Sequence, residues 1–227
     1  TMELHSSRIS YSLNRKLDYL FSLPLQYNSE GSDWPLILFL HGAGERGDDL
    51  RLLKKHGIPK VVDEMTDFPF ITVSPQCPEN DWRLNRLQDL RFLVDSIVEQ
   101  YRVDSSRLYL TGLSMGGFGT WHMAVEYPEL FSAIAPICGG GLGILGFPER
   151  VAEIKDLPVW AFHGEKDNIV SIEESRVLVR TLKEFGAHPM LTIYPDAGHD
   201  SWTETYSNPE LYRSEEHTSE LQSPNTI

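Results

Sequence analysis

Short runs of apolar, strand-favouring residues recur along the chain, with polar, turn-rich stretches between them. The clearest run is 36–40, Leu-Ile-Leu-Phe-Leu, which carries no charge and so fits a strand buried on both faces. Segment 20–23 is closed by Pro24 and fits an edge strand. The other predicted strands are 70–74, 108–111, 133–137, 158–162 and 189–194.

Apolar residues at helical spacing predict helices between these strands. Segment 118–125 is helical in pattern and has to stop before Pro128. Residues 48–65 are mixed in pattern and are predicted to be helical in part. The longest predicted helix is 87–101, whose apolar face consists of Leu87, Leu90, Val94, Ile97, Val98 and Tyr101.

The last predicted helix is 171–185, with Ser171 and Glu174 as a capping box at its start and Gly186 just beyond its end. Strands and helices therefore alternate through the whole sequence. This alternation predicts an α/β fold with a mostly parallel sheet and helices on both of its faces.

The final residues do not follow this pattern. They begin Arg-Ser-Glu-Glu-His-Thr-Ser-Glu-Leu-Gln-Ser, which is similar to the translation of a common DNA-sequencing adapter. We therefore predict one α/β domain in residues 1–212 and a tail, 213–227, that is not part of the fold.

The centre of the chain combines a predicted strand, the sequence Gly112-Leu113-Ser114-Met115-Gly116 and a predicted helix. This order is typical of a nucleophile elbow, in which a serine stands on a sharp turn between strand and helix. The two flanking glycines fit, because strand and helix nearly touch there. The helix N-terminus beside the serine favours developing negative charge. The alternative is a glycine-rich loop with a solvent-facing serine.

Composition and net charge exclude several classes of partner and site. The chain has 227 residues, 41% of them hydrophobic, with a net charge of −13, so nucleic acid and anionic membranes are not expected partners. No apolar run approaches the roughly 20 residues of a membrane span. Cys77 and Cys138 alone form neither a disulfide framework nor a metal site. No signal peptide is visible, so we expect a cytoplasmic protein, although Thr1 before Met2 leaves a removed leader open.

A catalytic serine needs a histidine base, and in folds of this class the histidine comes last in the chain. His199 lies directly after the last predicted strand, where the carboxyl ends of the strands form the active-site edge. The other histidines precede the serine, lie on its helix, come before any suitable acid, precede the last strand at its amino end, or lie in the tail. They are His5, His41, His56, His122, His163, His188 and His217.

The histidine in turn needs a carboxylate that orients it. Asp167 follows the predicted strand 158–162 and is our first choice, with Glu165 as the nearest competitor. Asp196 is too close to His199 along the chain to face its ring easily.

Two backbone amides are expected to stabilise the oxyanion of the tetrahedral intermediate. One is the amide of Met115, after the serine, and the other is the amide of Ala43, in the glycine-rich loop after strand 36–40. Side chains that we expect near the pocket mouth are Gln76, Trp82 and Trp202, although each is equally compatible with core or surface packing.

Four segments together resemble the α/β-hydrolase family, and within it the compact esterases related to dienelactone hydrolases and prolyl-oligopeptidase-type serine hydrolases. These segments are 41–47, 112–117, 163–170 and 197–202. The resemblance implies an eight-stranded, mostly parallel sheet, no cofactor, and hydrolysis of a small-molecule ester through an acyl-enzyme. The short loop 139–148 departs from lipases with a large lid, so we expect an open site and short acyl chains.

Other functions stay open at this point. Feruloyl or acetyl-xylan esters, or peptides, are alternative substrates on the same fold. A catalytically inactive binding protein is another. Two glycine strings of the form G-x-G-x-x-G also allow a dinucleotide-binding oxidoreductase, although Glu45, Asp48 and Asp49 crowd the first string with negative charge. Oligomeric state is not readable from the sequence.

Overall fold

The computed structural model describes residues 15–82, 86–141 and 143–217, the last four of these by their backbone alone. The strands are β1 Tyr19–Ser22, β2 Trp34–Leu40, β3 Ile71–Pro75, β4 Val103–Leu113, β5 Ala133–Ile137, β6 Trp160–Gly164 and β7 Met190–Tyr194. The helices are α1 Gly57–Glu64, α2 Leu87–Gln100, α3 Met115–Glu126, α4 Glu173–Glu184, α5 Trp202–Ser207 and α6 Pro209–His217. Short 3₁₀ turns cover Ala43–Glu45, Leu50–Lys55 and Glu149–Ile154.

The strands form one sheet in the order β1-β3-β2-β4-β5-β6-β7. Only β1 runs antiparallel, paired with β3, and the other neighbours are parallel. This is the α/β-hydrolase fold, but the eight strands implied by the resemblance are wrong for the described residues, which form seven. Between β1 and β2 the backbone is taken up by turns, with Tyr27 N–H donating to Pro24 O and Ser29 N–H to Gln26 O.

Alternate residues of β2 contribute side chains to two separate hydrophobic cores, because successive side chains of a strand point to opposite faces of the sheet. Leu36, Leu38 and Leu40 pack on one face with α2 and α3. Ile37 and Phe39 pack on the other face with aromatic side chains of β4, β6 and α5. Every residue of β2 is buried, so the sheet is covered on both sides as its uncharged sequence predicts.

Two elements differ from their sequence patterns. Strand β4 begins well before the predicted segment 108–111, because its polar first half still pairs with the start of β2 through Trp34 and Val103. The capping box at α4 is wrong in its pairing. The Ser171 hydroxyl accepts from Glu173 N–H at 3.3 Å, whereas the Glu174 carboxylate accepts from Gly141 N–H at 3.0 Å and so ties α4 to the loop after β5.

The predicted domain boundary at residue 213 falls inside α6. Leu211 is buried in the second core, and the Tyr212 hydroxyl donates to Tyr206 O at 2.8 Å, so the start of this helix is packed on the domain. The rest of the predicted tail, 218–227, lies outside the described residues. Within the described part of the chain, none of the helices has the length and apolar character needed to cross a membrane.

Candidate active site

Ser114 stands at the turn between β4 and α3 in a conformation that side chains rarely adopt, with φ 52° and ψ −116°. Such strain persists only where the surrounding structure fixes it. Here Ser114 N–H donates to Ile137 O at 3.0 Å, and Cβ atoms built on Gly112 or Gly116 would overlap the backbone of Gly116 or Leu40. The two glycines are therefore required for β2, β4 and α3 to meet behind the serine.

The structure brings Ser114, His199 and Asp167 into one hydrogen-bonded row. Ser114 Oγ lies 2.9 Å from His199 Nε2, and His199 Nδ1 lies 2.8 Å from Asp167 Oδ2. The Asp167 side chain is fully buried and that of His199 is 21% exposed. Because a carboxylate only accepts, Nδ1 carries the proton of the neutral ring and Nε2 is free to accept from the serine hydroxyl.

Asp167 is held as a carboxylate. Burial raises its pKa, but hydrogen bonds from His199, Val170 and Ile169 outweigh burial and leave the pKa below its usual value. The two backbone amides both donate to Oδ1 at 2.9 Å, which leaves Oδ2 for the imidazole.

The competing acids point elsewhere. The Glu165 side chain is 49% exposed and pairs with Arg176 at 3.1 Å. Asp196 is 93% exposed and pairs with Lys166 at 2.8 Å. Both acids belong to solvated surface ion pairs. Of the three candidate acids, Asp167 is therefore the one that contacts His199.

The two predicted oxyanion donors stand at the starts of elements. Met115 is the first residue of α3 and is buried, and Ala43 is the first residue of the 3₁₀ turn after β2. Amides in the first turn of a helix have no carbonyl one turn earlier to bond with. Both are therefore suited to bind an external oxyanion.

His41 is a residue of this site that sequence reasoning passed over. Its Nε2 accepts from Cys77 N–H at 2.9 Å, so the proton is on Nδ1, which donates to Gly42 O at 2.6 Å. The buried ring thereby ties the loop that carries Ala43 to the segment after β3. Its position directly before the glycine loop was the only sequence signal.

Gln76 supports the same loop from inside. It is 3% exposed, and its Nε2 donates to Glu45 O at 2.9 Å and to Asp49 O at 3.0 Å. The Gln76 side chain is thus buried under the loop, with Nε2 holding the loop and Oε1 without a hydrogen-bond partner among the described residues. Its contact with substrate stays a prediction.

The two tryptophans differ in their relation to the triad. The Trp202 ring packs edge-on against His199, with ring centroids 5.4 Å apart, and against His56 at the same distance. Trp82 is 39% exposed, and its contact with substrate stays a prediction, since residues 83–85 beside it are not described. His199, Trp202 and His56 thus form an aromatic row, which we call the aromatic wall.

One group of metal-ligand atoms occurs among the described residues, comprising Cys138, Asp167 and His199, with ligand atoms within 4.8 Å of one another. Asp167 and His199 are already bonded to each other, and burial raises the pKa of the Cys138 thiol to about 12, so the thiol keeps its proton. These residues fit a hydrogen-bonded catalytic set better than a metal site.

Neither glycine string opens an α-helix within the ranges that the structure describes. The first string, Gly42 to Gly47, contains the three-residue turn Ala43–Glu45 and is followed by the 3₁₀ turn Leu50–Lys55. The second string, Gly141 to Gly146, leads into the 3₁₀ turn Glu149–Ile154. A dinucleotide site needs a helix N-terminus for its pyrophosphate. The geometry therefore disfavours the oxidoreductase alternative.

The phospholipase/carboxylesterase family model matches residues 27–208. A bifunctional acetylxylan esterase/xylanase from Neocallimastix patriciarum is 23% identical over 155 residues, 66% of this chain and 22% of that protein. The chain spans between 12% and 37% of the length of the first curated relatives.

Solved structures show the same architecture. A thermostable esterase is 35% identical, with a TM-score of 0.76 over 88% of this chain and 59% of its own. A ferulic acid esterase from Anaeromyces mucronatus, in complex with ferulic acid, shares the fold at 17% identity, with a TM-score of 0.66 over 83% of this chain and 82% of its own.

Proposed function

We propose, from the premise that this chain belongs to the phospholipase/carboxylesterase family, that it is a serine carboxylesterase that hydrolyses short-chain acyl esters through an acyl-enzyme. The observation that carries the proposal is the row of hydrogen bonds from Ser114 to His199 to Asp167, on a strained turn beside a helix N-terminus. A catalytically inactive binding protein of this fold would have no need to keep Ser114, His199 and Asp167 hydrogen-bonded to one another.

In the first half-reaction, Ser114 Oγ bonds to the carbonyl carbon of the ester while His199 Nε2 takes the hydroxyl proton. The carbonyl electron pair moves onto oxygen, where the amides of Ala43 and Met115 donate to it. Collapse of this intermediate breaks the bond to the alcohol, which leaves with the proton from His199. The product of this half is an ester of Ser114.

In the second half-reaction, water replaces the alcohol. His199 removes a proton from water while the water oxygen attacks the acyl carbon. It then returns the proton to Ser114 Oγ as the acid leaves. The Asp167 carboxylate keeps the ring oriented and stabilises its protonated form in both halves.

The proposed preference for short acyl chains rests on the loop after β5. The described residues of this loop, 139–141 and 143–148, lead directly into the 3₁₀ turn Glu149–Ile154, and the Glu174 carboxylate accepts from Gly141 N–H. Both observations support a loop too short to cover a long apolar chain. A largely open site of this kind buries small groups well and long chains poorly.

Esters of aromatic or sugar-linked acids are the second candidate. The aromatic wall favours them, because a planar acid can pack against the Trp202 ring beside His199. The similar proteins include an acetylxylan esterase and a ferulic acid esterase, which supports the same class.

The test combines covalent labelling with a substrate panel. A fluorophosphonate should label wild type, and Ser114→Ala should lose the label, keep its circular dichroism, and lose on the order of 10⁴-fold in kcat. A panel of p-nitrophenyl esters should give the highest kcat/KM for acyl chains of about two to four carbons. Near wild-type turnover by Ser114→Ala would refute the mechanism, and a preference for about ten carbons or more would refute the short-chain assignment. Faster turnover of methyl ferulate than of the best p-nitrophenyl ester would favour the second candidate.

A further inference from the structure

His163, at the end of β6, is fully buried and lies directly behind the acid of the triad. Its Nε2 is 2.9 Å from Val170 O and 3.4 Å from Asp167 Oδ2, and its Nδ1 is 2.8 Å from the Ser175 hydroxyl. One ring therefore contacts the strand end, the loop of the acid and helix α4. Sequence reasoning set this histidine aside because it precedes the acid in the chain.

The contacts fix the protonation of the ring. A carbonyl oxygen only accepts, so Nε2 carries the proton, and Nδ1 accepts from the Ser175 hydroxyl. Burial lowers the pKa of His163 and outweighs the Val170 carbonyl and the Asp167 carboxylate, which both raise it. The titratable groups that face the ring are Asp167 and His199. His163 is thus neutral in the folded protein.

The same carboxylate oxygen, Asp167 Oδ2, meets two imidazoles. His199 Nδ1 approaches it at 2.8 Å from the more exposed side, and His163 Nε2 at 3.4 Å from the interior. Val170 belongs to both arrangements, since its N–H donates to Asp167 Oδ1 and its carbonyl accepts from His163. The inner ring therefore fixes the turn 167–170, which carries the oxygen that faces His199.

We propose that His163 is a positioning residue of the esterase, a neutral ring that fixes the turn 167–170 through its bond to Val170 O and so holds the Asp167 carboxylate in the orientation in which it accepts from His199. This rests on the proposed function of the triad. Because the ring is uncharged, it leaves the negative charge of the carboxylate for the imidazolium that forms on His199 during each half-reaction. A charged residue at the same place would compete for that charge.

The experiment compares His163→Leu, which removes the donor, with His163→Gln, whose amide N–H reaches the region of the imidazole Nε2. We expect His163→Leu to lower kcat by about 10–100-fold with KM nearly unchanged, the size of effect of a misplaced catalytic group. We expect His163→Gln to recover most of that loss. Thr181→Val, which alters another hydroxyl of α4 that bonds only to Val177 O, is the matched control and should stay close to wild type.

The pH profile separates positioning from packing. Without the bond from His163 to Val170 O, the Asp167 carboxylate faces His199 less well and stabilises its protonated form less, so the acid limb of kcat/KM in His163→Leu should move to lower pH. An unchanged or higher midpoint, or equal losses in the Leu and Gln variants, would overturn the proposal. If the variants do not fold, ¹⁵N shifts of wild-type His163 decide, because a ring that is protonated on both nitrogens at about pH 7, or that carries its single proton on Nδ1, also overturns it.

Different results would refute the proposed esterase function and the proposed role of His163. Absence of fluorophosphonate labelling in wild type would remove the esterase itself. Wild-type labelling together with an undiminished rate in His163→Leu would remove only the role of His163.

Discussion

At the scale of single residues, the site depends on which carboxylate faces which ring. Asp167 and Glu165 are two residues apart, yet the first is buried against His199 and the second is exposed and paired with Arg176. Burial and backbone amides, rather than proximity in sequence, distinguish them.

This difference gives a direct test of the acid. Asp167→Asn should keep the fold and lower kcat by about 10⁴-fold, because an amide at this position favours the wrong tautomer of His199. Glu165→Gln, the matched control, should stay within about twofold, since an exposed ion pair contributes little. Steady-state kinetics on a p-nitrophenyl ester measures both. A crippled Glu165→Gln beside a mild Asp167→Asn would transfer the role of the acid to Glu165.

At the scale of elements, the nucleophile turn depends on the distance between β2, β4 and α3. Gly116 has no room for a side chain, since its Cβ would overlap the Leu40 carbonyl, and backbone cannot move aside as a flexible side chain does. Gly31, in the turns before β2, has no neighbour within 4 Å of such an atom.

We therefore expect Gly116→Ala to lower the free energy of unfolding by about 3 kcal/mol or more, or to prevent folding, as overpacking against fixed backbone does. Gly31→Ala should change it by no more than about 0.5 kcal/mol. Urea unfolding followed by circular dichroism measures both. If the two variants were equally stable, the turn at Gly116 would have room for a side chain, which the close contact with the Leu40 carbonyl contradicts.

At the scale of the whole molecule, the buried His163 makes stability depend on pH. In the unfolded chain this ring titrates near its ordinary pKa of 6.5, whereas burial lowers its pKa in the folded state. Below pH 6.5 the unfolded chain therefore binds more protons, and the free energy of unfolding falls as pH falls.

The slope from this one group is at most about 1.4 kcal/mol per pH unit. His163→Gln, which does not titrate, should show a shallower decline between pH 6.5 and 5 in urea unfolding than wild type. Parallel curves for the two proteins would mean that other groups account for the decline.

The sequence predicted those features of the molecule that depend on neighbouring residues in the chain. Uncharged runs located the strands of the sheet, and the residues that follow those strands included Ser114, Asp167 and His199, which the structure brings together. The rest depends on packing between distant segments. Nothing in the pattern around Gln76 indicates that its amide turns inward to a loop at residues 45–49, and nothing around His163 indicates contact with Ser175.

The alternation of β2 limits how the gene can change length. A single codon inserted within Trp34–Leu40 would exchange the side chains meant for the two cores, and would also shift the loop that carries Ala43. A codon inserted near Gly31 would disturb less, because a Cβ at Gly31 meets no atom within 4 Å and Ser29 and Glu30 bond to Gln26 within the same turns. Length differences between natural relatives should therefore accumulate before β2 and be absent within it.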